Sequence, residues 1–258
     1  MQTLHYQTLG TGKPIVMIHG WAMHSGIWHS FAEQLAAHYQ VTLVDLPGHG
    51  YSATLNPFTL EAIVDTLAQT LPDQPCCWLG WSLGATVATA LAQLYPERVN
   101  ALVLVAGNPC FLRQDTWPGM QPTVLDSFAA SLASDAQATL LRFLAIQVMA
   151  LPNAKELTKA LKAAVLSRPA PAGETLQGGL DILKSTDLRA ALAAVDVPVL
   201  AIFGQKDSLI PLALSEYLPQ LLPHTQVQVL AQAAHIPFLS HPHEVLTRLM
   251  AFMEAHDV

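Results

Sequence analysis

Cys76-Cys-Trp-Leu-Gly80-Trp-Ser82-Leu-Gly84 decides the fold of this 258-residue chain. Its first half is a short apolar run without polar alternation, as in a strand buried on both faces. Its second half has the form Gly-x-Ser-x-Gly and runs directly into the helix-period segment Leu83–Tyr95. A serine on so sharp a turn needs small neighbours, because its backbone is strained and the next helix packs close. The helix N-terminus then directs free N–H groups and partial positive charge at a reacting oxygen. Strand, turn and helix together make Ser82 a candidate nucleophile, and a plain turn serine is the alternative.

Working outward, Pro14–Ile18, Val41–Asp45 and Ala101–Val105 repeat the unalternating apolar pattern. Trp28–Tyr39 and Thr59–Leu71 carry helical periodicity between them, which predicts crossover helices and a parallel sheet. After Cys110 the strand pattern stops for about 85 residues, by the same periodicity test, and resumes at Pro198–Phe203 and Thr225–Leu230. A final helix is expected from Glu244 to Ala255. The economical architecture is one α/β core, 1–110 and 190–258, interrupted by a helical insertion at 111–189.

Composition agrees with a single folded core. Hydrophobic residues make up 52% of the chain and charged residues 12%, which excludes a disordered chain. No apolar stretch reaches the roughly 20 residues of a membrane span. Residues 1–13 lack the basic start and apolar middle of a signal peptide. Three cysteines, Cys76, Cys77 and Cys110, cannot build a disulfide framework. The expectation is a soluble, cytoplasmic protein, with a lean toward monomer. A net charge of −7 speaks against general nucleic-acid binding. That charge is uneven: residues 111–189 hold 8 Lys/Arg and 7 Asp/Glu, the remainder 4 and 12.

A serine hydroxyl needs a base, and the base needs an orienting acid. Among eleven histidines, His235 in Ala233-Ala-His-Ile-Pro237 lies just past the last expected strand, where the C-terminal ends of a parallel sheet gather. His241 and His243 flank Pro242 at the start of the final helix, and His5, His29, His38, His224 and His256 sit in polar contexts. The acid should follow a strand end and precede the histidine in the chain. Asp207 in Gly204-Gln-Lys-Asp207 does both, whereas Asp45 precedes the serine and Asp196 lies at the wrong strand end. Leu83, after the nucleophile, and Trp21, in the loop His19-Gly-Trp-Ala22, are the candidate oxyanion donors. His19 reads as a buried organiser of that loop. Cysteine and histidine spacings match no metal site, and no phosphate-cradling glycine motif appears, so no cofactor is expected.

His19-Gly-Trp21, Asp45-Leu-Pro-Gly-His-Gly50, Gly80–Gly84, Pro96-Glu-Arg-Val99 and the Asp207/His235 pair resemble the α/β-hydrolase superfamily across the whole chain. Asn108–Phe111, Trp117-Pro-Gly119, Arg142–Gln147, Gly178–Lys184 and Ala233–Phe238 narrow the resemblance. They are similar to the carboxylesterase family of biotin synthesis, which hydrolyses the methyl ester of pimeloyl-acyl carrier protein. The resemblance implies an α/β-hydrolase fold: a mostly parallel central sheet, helices on both faces, and a four-helix cap. It implies acyl carrier protein as the partner and substrate contacts at Trp21, Ser82, Leu83, Phe143, Leu144, Ala145, Ile146, Gln147 and His235. Ala85 departs from the family pattern, where a second glycine is usual.

The insertion itself is compatible with this. On a helix, Lys155, Lys159 and Lys162 share one face and Leu157, Leu161 and Val165 another. With Arg142 they read either as a solvated face or as a dock for an acidic carrier protein. Arg168 closes the same basic segment. Phe111, Trp117, Phe128, Phe143 and Met149 are candidates for an apolar acyl tunnel, or else cap core. A general short-chain esterase and a non-catalytic receptor on the same scaffold are the competing readings.

Overall fold

The computed structural model describes residues 3–258. Its sheet contains β1 (Tyr6–Leu9), β2 (Pro14–Ile18), β3 (Gln40–Val44), β4 (Cys76–Trp81), β5 (Val99–Val105), β6 (Val199–Gly204) and β7 (Thr225–Leu230). Their spatial order is β1-β3-β2-β4-β5-β6-β7. Every pairing is parallel except β1 with β3. The apolar runs of β2 to β6 are buried almost throughout, which is why they show no alternation. β1 has no counterpart in the sequence reading. Tyr-Gln-Thr-Leu is polar and largely exposed, so an edge strand of this kind leaves no apolar signal.

Helices α1 (His29–Leu35), α2 (Leu60–Thr70) and α3 (Leu83–Leu94) make the first crossovers. Thr59 starts α2 by accepting the Ala62 N–H on its side chain, leaving Leu60, Ile63, Val64 and Leu67 to face the core. The segment between β5 and β6 folds as α4 (Pro122–Ser134), α5 (Ala136–Ile146), α6 (Ala154–Leu166) and α7 (Gly173–Ser185), called the cap below. The chain returns through α8 (Arg189–Ala193), α9 (Leu214–Leu221), α10 (Pro237–Ser240) and α11 (Pro242–Ala255). α1 and α11 cover one face of the sheet, and α2, α3, α8 and α9 the other. A fully buried leucine or isoleucine contributes roughly 1.5–3 kcal/mol, and the sheet's two faces hold most such residues. None of the described helices is long and apolar enough to cross a membrane.

Parallel order places the ends of β2, β4 and β6 along one edge. The loops that follow them carry Trp21, Ser82 and Asp207, and the loop after β7 carries His235.

Candidate active site

Ser82 sits at φ +56°, ψ −118°, a left-handed position that side chains rarely adopt. The turn holds it there by contact. A Cβ on Gly80 would lie 2.5 Å from Ala85 N, and one on Gly84 would lie 2.7 Å from the His19 carbonyl oxygen. Ser82 N–H donates to Val105 O at 3.0 Å, which fixes the elbow to the neighbouring strand. Ala85, the departure from the family pattern, has its methyl against Gly107, where an added Cβ would come within 2.5 Å. The space a second glycine would leave at 85 is left at 107 instead.

His235 and Asp207 meet this serine from separate loops. His235 Nε2 is 3.0 Å from Ser82 Oγ, and His235 Nδ1 is 2.8 Å from Asp207 Oδ2. Asp207 Oδ1 accepts the N–H groups of Leu209 and Ile210 at 2.8 and 3.0 Å, so only Oδ2 is turned to the imidazole. An acceptor at Nδ1 requires the proton there, which leaves Nε2 to accept from the serine hydroxyl. Both side chains are 1% exposed. The His235 backbone is held from two sides: its carbonyl accepts Trp81 Nε1–H at 2.8 Å, and its N–H donates to Gln147 O at 3.2 Å.

Leu83 N–H opens α3, and Trp21 N–H lies in the loop after β2. Among the described residues neither has an acceptor, so both are free for a ligand oxygen. The Trp21 indole is otherwise engaged. Its Nε1–H donates to Leu176 O at 2.8 Å, and its ring meets Phe143 and Phe128 edge to face. Gly179 permits this approach, since a Cβ there would lie 2.6 Å from the indole. His19 is wholly buried, donates Nδ1–H to Gly20 O and accepts Leu46 N–H on Nε2. Burial and the neighbouring His49 push its pKa down to about 3, so the ring stays neutral and organises the loop.

Above Ser82 the cap covers a narrow apolar cavity of about 80 Å³. Phe111, Phe128 and Phe143 stand in its wall, as does Ile146. Two tunnel candidates do not. Trp117 turns away, donating to Asn108 Oδ1 at 2.9 Å and packing on Tyr217. Met149 lies just beyond α5 and is 62% exposed. Of the other implied contacts, Leu144 is buried outside the wall and Ala145 is half-buried outside it. Gln147 is fully buried and reaches His235 only through its carbonyl. The sequence reading missed Met120, Val124, Leu125, Leu180, Leu183 and Leu209. Spacings such as Val124-Leu125-Phe128 and Leu180-Leu183 mark one face of α4 and α7, but a stripe facing a cavity and one facing a core are spelled alike. Arg142, Lys155, Lys159 and Lys162 are all exposed. Arg168 instead turns inward to Asp45.

The model of the α/β-hydrolase fold family matches residues 13–242. The pimeloyl-[acyl-carrier protein] methyl ester esterases of Salmonella paratyphi A and Salmonella typhi are each 43% identical over 251 residues, spanning 97% of this chain and 98% of theirs. An esterase from Exiguobacterium antarcticum superposes with a TM-score of 0.89 at 22% identity, covering 98% of this chain and 96% of that one. A bromoperoxidase from Bacillus anthracis gives a TM-score of 0.87 at 20% identity over 97% and 95%. Likenesses of that depth speak for the fold alone.

Proposed function

The chain belongs to the α/β-hydrolase family and, within it, to the pimeloyl-[acyl-carrier protein] methyl ester esterases, and from that premise we propose that it hydrolyses the methyl ester of pimeloyl-acyl carrier protein through an acyl-enzyme. The observation that carries the mechanism is the unbroken chain Ser82 Oγ, His235, Asp207 at the floor of an apolar cavity. His235 Nε2 takes the hydroxyl proton as Ser82 Oγ attacks the ester carbonyl. The imidazolium that forms is stabilised by Asp207, whose second oxygen is already committed to two backbone N–H groups. Leu83 N–H and Trp21 N–H receive the oxyanion, each worth about 3–4 kcal/mol to the tetrahedral intermediate. Methanol leaves with the proton from His235. Water, deprotonated by the same ring, then releases pimeloyl-acyl carrier protein as its free carboxylate.

The cavity supports an acyl substrate. Apart from Ser82 and the already committed indole N–H of Trp21, its wall is carbon and sulfur, so a methylene chain fits it and a charged ligand does not. A carrier protein fits the exposed basic side of the cap: acidic partners are steered by such surfaces in a salt-dependent way. In this reading the partner stays outside and only its acyl arm enters.

The test is kcat/KM for methyl pimeloyl-acyl carrier protein against free methyl pimelate, at low and moderate salt, with Ser82→Ala as the control. The tethered substrate is expected to win, with an advantage that shrinks as salt rises. Ser82→Ala should fold normally and lose turnover by about 10⁴-fold or more. Retained turnover in that variant defeats the mechanism. Equal, salt-insensitive rates for the two substrates would leave a general esterase.

A further inference from the structure

Among the described residues one ion pair joins the cap to the core, Arg168 with Asp45, and no step above uses it. Arg168 follows α6 and precedes Pro169, and a residue before proline is driven out of helical conformation. Its Nη1 stands 2.8 Å from each carboxylate oxygen of Asp45 and 2.8 Å from Ser25 Oγ. The guanidinium carbon lies 5.1 Å from the centroid of the Tyr51 ring. Asp45 is fully buried at the end of β3. Its Oδ1 also accepts Ser25 N–H at 2.7 Å, and Oδ2 accepts Tyr51 N–H at 3.0 Å.

Ser25 belongs to the loop that carries Trp21, so Asp45 is the hinge pin between that loop and the cap. A second bond runs the same way: His24 Nε2 is 2.8 Å from Ala164 O near the end of α6. Removing the guanidinium would leave a buried carboxylate without its cation. Such a group recovers balance only by taking a proton or by drawing in water, and either shifts what it holds.

We propose that Arg168 is a positioning residue: acting through Asp45 and Ser25, it fixes the loop whose Trp21 N–H receives the oxyanion. Seating the cap and assembling the oxyanion pocket are then one event. This rests on the assignment of Trp21 and Leu83 as oxyanion donors. It also gives α6 two jobs, since the helix that ends at this anchor bears Lys155, Lys159 and Lys162 on its exposed side.

Arg168→Met removes the charge while keeping much of the length, and Arg168→Lys restores a cation. Both are assayed with a small free methyl ester, which needs no carrier partner. Affinity for a trifluoromethyl ketone, which forms a tetrahedral adduct on serine, is measured beside it. Rates are normalised to titrated active sites, so unfolded protein does not count. Arg168→Met should lower kcat about ten- to a hundredfold, weaken the ketone by a similar factor, and leave KM within about twofold. Arg168→Lys should recover most of the loss. A kcat for Arg168→Met within about twofold of the parent overturns the proposal. So does a fall in kcat with the ketone affinity unchanged. Failure of the hydrolytic reading shows elsewhere, as turnover retained in Ser82→Ala, and would overturn both.

Discussion

Ser82, Asp207 and His235 come from loops at the ends of β4, β6 and β7, whereas most of the cavity wall above them comes from the cap. The two regions hold their side chains in different ways. In the core, backbone meets backbone: Gly84 packs against the carbonyls of Ile18 and His19, and Gly80 against α3. In the cap, helices with one buried stripe lean on each other through side chains, and α6 buries only Leu157 and Leu161. Backbone contact fixes a position to a few tenths of an ångström, because amide geometry is stiff. Side-chain contact leaves room for rotamers and for repacking. The proposed reacting groups therefore sit on the rigid part, and the proposed acyl-reading surface on the adjustable part.

Two glycines put the largest effect on that contrast. Gly84→Ala places a methyl 2.7 Å from the His19 carbonyl oxygen and closer still to that of Ile18, with no flexible side chain to yield. It should cost about 3 kcal/mol or more, since overpacking and backbone strain add. Gly173 opens α7 with nothing within 4 Å of an added Cβ. Gly173→Ala should be neutral or stabilising by about 0.4–1 kcal/mol, through helix propensity and a less free unfolded chain. Urea midpoints of the two variants decide it. If they respond alike, the cap is as tightly determined as the core.

The same division governs what the sequence reveals. The strands β2 to β6 announce themselves because burial on both faces forces unbroken apolar runs, and Gly80 and Gly84 because the elbow excludes any Cβ. Chain order and strand ends were enough to single out Asp207 and His235, which the fold brings to 2.8 Å. In the cap, periodicity finds helices without saying where each faces. Trp117 and Phe128 read alike as cap aromatics, yet one packs on Tyr217 and the other lines the cavity. Arg168 reads as the last member of a basic segment. Its partner Asp45 lies 123 residues away, and no local pattern links them.

Acid should separate the regions next. His49, like His19, is wholly buried beneath the core loops, and burial pushes its pKa down to about 4. Unfolded, both histidines titrate near 6.5, the ordinary value for the side chain. Below that pH the unfolded chain binds protons that the native loops refuse, so stability falls as pH drops from about 6.5 toward 4. The loss is on the order of 3 kcal/mol per histidine at pH 4, with the repulsion from His49 already part of the lowered value of His19. Urea titrations at pH 7, 5.5 and 4 measure it. His49→Asn, with a shorter donor toward Pro47, should flatten the curve. An unchanged slope in that variant would take His49 out of the account.

The smallest expected effect lies on the outside of the cap. Lys155, Lys159 and Lys162 are exposed, and none forms an ion pair among the described residues. Reversing all three to glutamate should change stability by no more than about 0.5 kcal/mol per substitution, as surface substitutions generally do. Turnover of a free methyl ester should not change either, because the cavity wall is untouched. What should move is kcat/KM for the carrier-tethered substrate at low salt, since encounter with an acidic partner depends on the summed field of that face. At moderate salt the parent and the variant should converge as the field is screened beyond about 8–10 Å. A tethered substrate indifferent to all three charges would make this a solvated helix face. The cap's part in recognition would then lie wholly in the apolar wall beneath it.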